Sequence, residues 1–424
     1  MDIENVDRPR TIGIIGGGPA GLSIAKMLKD SGAYEPVVFE ALGDVGGKSF
    51  SYRHGGNIIE MGTCYATFSH KITNQWMKEL RMPMGYLGEQ RFDGADFMDF
   101  VKSGYGPSLP LQVIGYWKAK RRLEKALARL NPAQADLDEA ALPIQDWLKQ
   151  RNLGKIENFM LRSTTNIAYG FIDETPTVQA LRWNDMKLIV TGLLKQLRMP
   201  LEGWTEFWRR IAGEMDVRLN QRISAVERAD DSVTLVTAEG ERLSFDEVVC
   251  AIPLDEFAKM TDPTEDESYV ASSVDWNGYT TTLVAVKDWF TDVHVEAFLD
   301  SVVPGADRGQ LLSARYEGAE DELGGALYLT GQLTGAYSEA ELQELLRADI
   351  EKKGGRVKNV ILQKLWKYNS QYKSDAIRDG LMKRLETMQG KQRTWYTGAI
   401  FSHEAVSHIV NFNDELVAKM LKPD

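Results

Sequence analysis

Three glycines and one acidic residue near the start of the chain have the spacing of a dinucleotide-binding turn. Gly16, Gly18 and Gly21 form the pattern GxGxxG directly after an apolar run, and Glu40 ends the next apolar run. Gly16 permits a sharp turn, Gly18 lets a pyrophosphate approach the backbone, and Gly21 lets a helix pack on the strand. The Glu40 carboxylate can accept hydrogen bonds from ribose hydroxyls, and its charge argues against a 2′-phosphate. These residues predict dinucleotide binding.

The residues around this turn have the pattern of a strand, a helix and a second strand. Residues 11–15 are an apolar run of β type, and residues 20–28 carry apolar side chains at helical spacing. A second apolar run covers 36–39. Pro19 and Ala20 would stand at the helix N-terminus, where free backbone amides bind anions. The spacing is that of a βαβ unit in a parallel sheet.

Beyond this unit, the spacing of apolar residues changes from helical to extended and back. Residues 76–201 are predicted to be mainly helical, whereas the region from 215 onward has β character with hairpin turns at 230–231 and 239–240. We predict helices over 114–130, 143–149, 177–198 and 338–353, strands at 223–226, 233–237, 247–252, 280–286, 326–333, 360–366 and 394–396, and a last helix from about Asn413.

This order of elements predicts an α/β fold. It would consist of a discontinuous Rossmann-like cofactor-binding domain, an α+β substrate domain and a helical cap. We expect the cofactor-binding domain at 1–75, 201–262 and 386–424, the helical cap at 76–200 and the mixed-sheet substrate domain at 263–385.

Composition excludes several other classes of protein. The chain has 424 residues and a formal net charge of −11, which argues against general nucleic-acid binding. Its two cysteines cannot form a disulfide framework and fit a reducing compartment. With neither a secretory leader nor a long apolar run, we expect a cytoplasmic protein. Five histidines without a Cys/His cluster predict no metal site.

A further set of motifs resembles the amine-oxidase-like flavoprotein superfamily. The sequence GG[RK] occurs at Gly46, Gly47 and Lys48, and the sequence ExG occurs at 60–62. The resemblance implies noncovalently bound FAD, with the first motif along the pyrophosphate and the second near the flavin. It also implies that a middle-strand residue pairs with adenine and that a late glycine precedes a helix facing the flavin. The residues assigned by this resemblance are Gly46, Gly47, Lys48, Glu60, Met61, Gly62, Ile223, Gly398 and Asn411.

Within that superfamily, the chain is similar to the polyunsaturated fatty acid isomerase family. The similarity lies in the segments 60–62, 168–170, 252–257, 389–390 and 395–398. It implies that the bound FAD takes a hydride from an allylic carbon of an unsaturated fatty acid and returns it further along the chain. The protein would supply placement and a dry channel.

The same resemblance assigns the substrate-binding residues. Arg91 stands where the family binds the substrate carboxylate, a role that suits a bidentate guanidinium. Tyr169 lies in a segment shared with the family. Ile167 and Gly192 replace aromatic gate residues, which would widen the pocket and leave room for another lipid or a bulkier acid.

Two alternative functions and one partner remain open at this point. The chain could be an oxidase or dehydrogenase of an amine or other small molecule that passes electrons to oxygen, or it could bind a flavin without turnover. Six basic residues over 118–129 follow Tyr116 and Trp117 on a predicted helix, so peripheral contact with a membrane is a further alternative to a solvated helix face.

Overall fold

The computed structural model describes residues 8–320 and 322–422. The strands are β1 Arg10–Ile15, β2 Tyr34–Phe39, β3 Ser51–His54, β4 Asn57–Glu60, β5 Met84–Tyr86, β6 Gln90–Phe92, β7 Ala95–Asp96, β8 Arg198–Pro200, β9 Asp216–Arg218, β10 Ile223–Arg228, β11 Val233–Thr237, β12 Arg242–Phe245, β13 Glu247–Cys250, β14 Val274–Trp276, β15 Tyr279–Lys287, β16 Val295–Ala297, β17 Leu311–Glu320, β18 Gly325–Leu333, β19 Arg356–Trp366, β20 Ser370–Tyr372 and β21 Thr394–Tyr396. The helices are α1 Pro19–Ser31, α2 Lys71–Glu79, α3 Phe97–Ser103, α4 Leu109–Leu127, α5 Gln134–Ala141, α6 Ile144–Lys149, α7 Gly154–Ser163, α8 Thr177–Trp183, α9 Met186–Leu193, α10 Trp204–Ala212, α11 Leu254–Phe257, α12 Glu265–Ser272, α13 Glu339–Lys352, α14 Ser374–Arg378, α15 Leu381–Thr387 and α16 Val406–Met420.

A parallel sheet brings together segments from the start, the middle and the end of the chain. Its strand order is β21–β13–β1–β2–β9, and every neighbouring pair is parallel. The central strand β1 is an apolar run whose last four residues are buried, as expected for a strand covered on both faces. Helix α1 packs against α16 and β2. The predicted α/β fold with a discontinuous Rossmann-like sheet is confirmed.

An antiparallel meander and a second large sheet complete the β structure. Strands β10, β11 and β12 form the meander, with turns at the two predicted hairpin positions. The second sheet has the order β19–β15–β18–β17–β16–β6–β7. Helix α13 lies against it and begins with the capping box predicted by the serine and glutamate three residues apart, Ser338 and Glu341.

The helical region contains strands that the apolar spacing did not predict. Strands β5 to β8 lie within or at the end of the segment 76–201, and β6 joins the second sheet beside β16. The helix predicted over 177–198 is also wrong, because α8 ends at Trp183 and α9 begins after Asp185. The Asp185 carboxylate accepts a hydrogen bond from the Leu188 amide, so an N-cap stands where a continuous helix was expected.

The last helix begins earlier than predicted. Helix α16 starts at Val406, seven residues before Asn413, and its N-cap position is Ala405. Asn413 is fully buried inside the helix, where it donates hydrogen bonds to the Ala20 carbonyl and the Ser23 hydroxyl. The polar residues taken as a helix start therefore join α16 to α1 instead.

Helix α4 carries both the basic run and an exposed apolar stripe. Leu111, Ile114 and Trp117 are exposed at helical spacing, whereas Lys120 is buried and donates to the Leu181 carbonyl. Arg122 is paired with two carboxylates of α5. Within residues 8–320 and 322–422, no helix combines the length and the apolar character needed to cross a membrane.

Candidate cofactor and substrate site

The glycine turn between β1 and α1 brings backbone into close contact. Gly16 has a φ of +111°, which favours glycine. A Cβ at Gly21 would lie 1.9 Å from the Gly16 carbonyl oxygen, so only glycine allows the helix to start here. No side chain caps α1 at Gly18. The first amides of α1, including that of Ala20, are therefore available to an anion.

Glu40 is held beside this turn by backbone donors. Its Oε2 accepts a hydrogen bond from the Gly17 amide at 2.8 Å, and its Oε1 accepts one from the Leu42 amide at 2.8 Å. Each carboxylate oxygen has a second lone pair. Glu40 is thus fixed in place and can still accept hydrogen bonds from hydroxyl groups of a ligand.

A second glycine loop approaches the first one from the other side. The Gly46 amide donates to the Gly17 carbonyl, and a Cβ at Gly47 would lie 3.2 Å from the Gly18 Cα. Lys48 follows, and its ammonium forms an ion pair with Glu404 at 2.7 Å. Its charge is thus balanced within the chain, and it is available to a pyrophosphate only at the cost of this pair.

We call the space between these two loops and the start of α16 the cofactor cavity. It encloses about 920 Å³, including its open mouth. Its wall includes Gly16, Gly18, Pro19, Ala20, Glu40, Gly47, Lys48, Gly398, Val406 and Ile409.

The ExG segment separates this cavity from the second sheet. A Cβ at Gly62 would lie 1.8 Å from the Lys48 carbonyl oxygen, so the two segments are in backbone contact. Met61 is fully buried and its carbonyl accepts from Thr281. Glu60 is also buried and accepts hydrogen bonds from Ser51 and the Trp204 amide. Gly62 faces a cavity, whereas the Glu60 carboxylate and the Met61 carbonyl hold the segment in place.

A middle cavity continues from the cofactor cavity past Gly62. Its wall is largely aromatic, and it shares Thr63, Tyr368, Glu404 and Val406 with the cofactor cavity. The predicted substrate residues Ile167 and Tyr169 both line it. The Tyr169 and Tyr368 rings stack with centroids 5.6 Å apart. The members that line only this part of the site are Gly62, His70, Tyr169, Trp183 and Ala405.

The titratable groups of the middle cavity are held neutral. Burial lowers the pKa of His70 to about 3 and raises the pKa of Tyr169 well above its ordinary value. The carboxylate of Glu404 also lines this cavity, and it is engaged by the Lys48 ammonium and by the Asn369 amide at 2.8 Å. The middle cavity therefore offers a substrate an apolar surface and hydroxyl groups but no unpaired carboxylate among the described residues.

A third space, the arginine cavity, opens beyond the middle cavity. The two share Cys64, Tyr65, Ile167 and Tyr279. Further members of its wall are Leu87, Arg162, Asn166, Val295, Ser313 and Arg315. The Asn166 Oδ1 atom is buried and lacks a hydrogen-bond partner among the described residues.

The two arginines of this cavity have different surroundings. Arg315 donates to the Glu317 carboxylate, to the Cys64 sulfur at 2.6 Å and to the Glu60 carbonyl at 3.2 Å. Burial opposes its charge, but the neighbouring Cys64 and Glu317 raise its pKa above the ordinary value. Arg162 instead donates through Nε to Gln90 at 3.0 Å, and it takes part in no ion pair within the described part of the chain. Burial lowers its pKa.

Other predicted site residues lie away from these three cavities. Arg91 lies on β6 and is already bound by Asp292 and Glu296. Gly192 lies in α9, where a Cβ would come within 3.0 Å of the Phe159 ring, and it lines none of the three cavities. The binding role of Arg91 and the widening at Gly192 remain predictions, and this placement gives them no support.

The two remaining FAD assignments are also outside the cavity walls. Ile223 begins β10 and packs into the core beside the parallel sheet. Asn411 lies in the second turn of α16 and donates to the Ser69 carbonyl at 3.3 Å. It lines a separate cavity together with Arg182, His408 and Lys419. The residues of α16 that reach the cofactor cavity are Val406 and Ile409, because the helix begins earlier than predicted.

Sequence reasoning missed Arg162. The signal for it is a single basic residue within the apolar run of α7, directly after Phe159, Met160 and Leu161. A long charged side chain beside such a run is rarely buried unless it is paired. Its position therefore indicates a buried arginine that needs a partner.

These features fit a flavin dinucleotide. The uncapped start of α1 and the backbone of Gly18 and Gly47 would receive the pyrophosphate, and Glu40 would receive a ribose. Gly62 and the start of α16 stand where the cofactor cavity meets the middle cavity. When bound, a flavin supplies a site that accepts or donates a hydride.

The parallel sheet with its two glycine loops, the second mixed sheet and the adjoining cavities are the features expected of a flavoprotein. The chain matches the family model "Flavin containing amine oxidoreductase" over residues 19–380. It belongs to that family, and family membership implies a flavin cofactor.

Curated relatives of the chain include two kinds of enzyme. Polyamine oxidase 4 of Oryza sativa subsp. japonica is 23% identical over 261 residues, which is 58% of this chain and 52% of that protein. Polyenoic fatty acid isomerase of Ptilota filicina is 21% identical over 257 residues, which is 52% of this chain and 51% of that protein. The matched region thus spans about half the length of these relatives.

Similar solved structures cover nearly the whole chain. A fatty acid isomerase from P. acnes that produces CLA has a TM-score of 0.82 at 22% identity and covers 99% of this chain and 100% of its own. Putrescine oxidase bound to putrescine has a TM-score of 0.69 at 14% identity and covers 97% and 99%. At these identities the similarity shows a shared fold.

Proposed function

We propose that this protein is an FAD-dependent enzyme that isomerises an unsaturated fatty acid or a similar lipid-like acid. FAD would be bound noncovalently. A bound FAD would take a hydride from an allylic C–H bond and return it to another carbon of the same molecule, so that one C–H bond breaks, another forms and no net oxidation occurs. The chain itself binds the acid, orients it and keeps water out.

The observation that carries this proposal is the charge of the space beyond the cofactor cavity. An amine substrate arrives as an ammonium ion and needs a carboxylate or several acceptors to replace its water. In the middle cavity the carboxylate of Glu404 is neutralised by Lys48, and the next charged groups are the guanidinium ions of Arg162 and Arg315. This arrangement disfavours a cation and favours an anion.

The aromatic wall serves the proposed chemistry in a second way. The Tyr169 ring contacts both Trp183 and Tyr368, which gives an apolar surface against which an extended hydrocarbon chain can pack. The hydride shift requires no proton transfer. The neutral state of His70, whose pKa is lowered to about 3 by burial, agrees with a site without an acid–base residue.

An oxidase or dehydrogenase of an amine, with oxygen as the acceptor, is the second candidate. It is favoured by the similarity to polyamine oxidase and putrescine oxidase. An amine could enter this site only if it bound in its neutral form or if Glu404 exchanged its lysine partner for the substrate.

The test is made without oxygen, with a trace of the flavin-loaded protein and an excess of linoleic acid. We expect ultraviolet absorbance of a conjugated diene to grow over many turnovers while the flavin stays oxidised. A parallel sample with spermine in air, followed by oxygen uptake, should show no reaction. Oxygen uptake with spermine and no diene from a series of polyunsaturated acids would establish the second candidate instead.

A further inference from the structure

Arg162 is a buried cation without a carboxylate partner in a chain whose other site cations are paired. The residue is buried, with 8% of its surface exposed. The Gln90 amide oxygen accepts from its Nε, which leaves the two terminal nitrogens without a partner among the described residues. We infer that the arginine cavity is the carboxylate-binding site of the substrate and that the terminal nitrogens of Arg162 hold the carboxylate.

The neighbours of Arg162 do not supply the missing negative charge. Tyr65, Tyr279 and Cys64 face the same cavity. Burial raises the pKa of each of the two phenols to about 12 and that of the thiol to about 11, so all three are protonated at neutral pH. They are hydrogen-bond donors, and the nearby carboxylate of Glu317 is committed to Arg315.

A carboxylate fits this set of groups for two reasons. A guanidinium binds a carboxylate with two parallel hydrogen bonds when its terminal nitrogens are free, and those are the nitrogens that Gln90 leaves free. A buried cation is costly until an anion or hydrogen-bond acceptors replace its water. The acid therefore restores the balance of charge that the chain lacks at this point.

The position of the cavity also sets the direction of the substrate. The middle cavity lies between the cofactor cavity and the arginine cavity, as the shared wall residues show. A substrate anchored at Arg162 would extend its hydrocarbon chain through the aromatic middle cavity toward Gly62. This inference depends on the proposed function for the identity of the reacting carbon, but the anion site itself does not.

The experiment measures binding separately from turnover. Octanoate has no allylic hydrogen and cannot react, so its affinity for the flavin-loaded protein is measured by calorimetry beside that of methyl octanoate and octylamine. We expect octanoate to bind at least about tenfold more tightly than either analogue, because only the acid pairs with the guanidinium. If the unmodified protein binds the acid and the ester with equal affinity, the inference is overturned.

Variants then locate the site. Arg162→Gln should weaken octanoate at least about tenfold and leave methyl octanoate unchanged, and Arg162→Lys should recover part of the loss. Arg91→Gln tests the competing carboxylate anchor that the sequence predicts, since Arg91 is bound by Asp292 and Glu296 and lies outside the cavity. Equal losses in the two glutamine variants, at unchanged flavin content, would refute the assignment to Arg162.

Two further outcomes separate this inference from the proposed function. Selective octanoate binding that depends on Arg162, without diene formation from any acid, would retain the anion site and reject the isomerase. Diene formation at the same rate in the unmodified protein and in Arg162→Gln would retain the isomerase and reject Arg162 as the carboxylate-binding residue. Inorganic phosphate is titrated as well, and binding as tight as that of octanoate would overturn the assignment to a carboxylate.

Discussion

Replacement of Glu60 by glutamine should change how the stability of this protein depends on pH. Glu60 is 1% exposed. Its carboxylate accepts hydrogen bonds from the Trp204 amide at 2.8 Å and from the Ser51 hydroxyl at 2.9 and 3.0 Å. Burial raises its pKa to about 7; the hydrogen bonds and Arg315 oppose this shift, and Glu317 adds to it.

The size and the sign of the effect come from this pKa. The ordinary value for the side chain is 4.5, and each pH unit of difference corresponds to about 1.4 kcal/mol. Between pH 4.5 and 7 the folded protein keeps a proton that the unfolded chain has lost. The free energy of unfolding therefore falls as the pH rises through this range, by about 2 to 3 kcal/mol between pH 5 and 8, and is level above it.

Urea unfolding followed by tryptophan fluorescence, at pH values from 5 to 8, measures this slope. The Glu60→Gln variant has no ionisable group at this position. We therefore expect its free energy of unfolding to increase relative to that of the unmodified protein, by about 2 to 3 kcal/mol between pH 5 and pH 8. Glu239→Gln, at an exposed turn position, controls for the loss of one negative charge. The reasoning is refuted if the difference between Glu60→Gln and the unmodified protein is constant from pH 5 to 8.

Four further predictions concern the cofactor cavity and the protein surface. Gly62→Ala should purify with little flavin, shown by a low ratio of visible to ultraviolet absorbance, because its Cβ would lie 1.8 Å from the Lys48 carbonyl oxygen; normal flavin content would contradict this contact. Lys48→Met should destabilise by about 3 kcal/mol or more through the unpaired Glu404, and Glu404→Gln in the same chain should recover most of the loss in thermal unfolding. Arg91→Ala should leave KM for a free acid unchanged, whereas a higher KM for the acid than for its ester would support the role predicted from sequence. Trp117→Glu on α4 should reduce sedimentation with anionic lipid vesicles if this exposed stripe contacts a membrane, and equal sedimentation of both proteins would exclude that contact.

Local sequence predicted the parts of the fold whose backbone geometry depends on particular residues. The glycines of the first turn and the acid at the end of β2 were identified because the close approach of Gly21 to Gly16 admits no side chain. The capping box at Ser338 was also predicted correctly, since both of its hydrogen bonds lie within one helical turn.

The parts that were missed depend on contacts between distant segments. The start of α16 was misplaced because Asn413 looks like a polar helix start, whereas it is buried against α1. Strand β6 was missed because its three residues become a strand only beside β16. Arg162 was missed because a basic residue on a helix usually faces solvent. Only the fold places it beside Gln90 of β6, in the wall of a cavity.

The hydrogen bonds of Glu40 have a practical consequence for chemistry. Because the Gly17 and Leu42 amides hold the carboxylate through bonds within the chain itself, its position does not depend on the ligand, and little conformational entropy is lost on binding a dinucleotide. If the flavin is bound noncovalently, as proposed, it can be removed and replaced, and the protein should then accept synthetic analogues altered in the ring. The reduction potential could then be varied without changing a single amino acid.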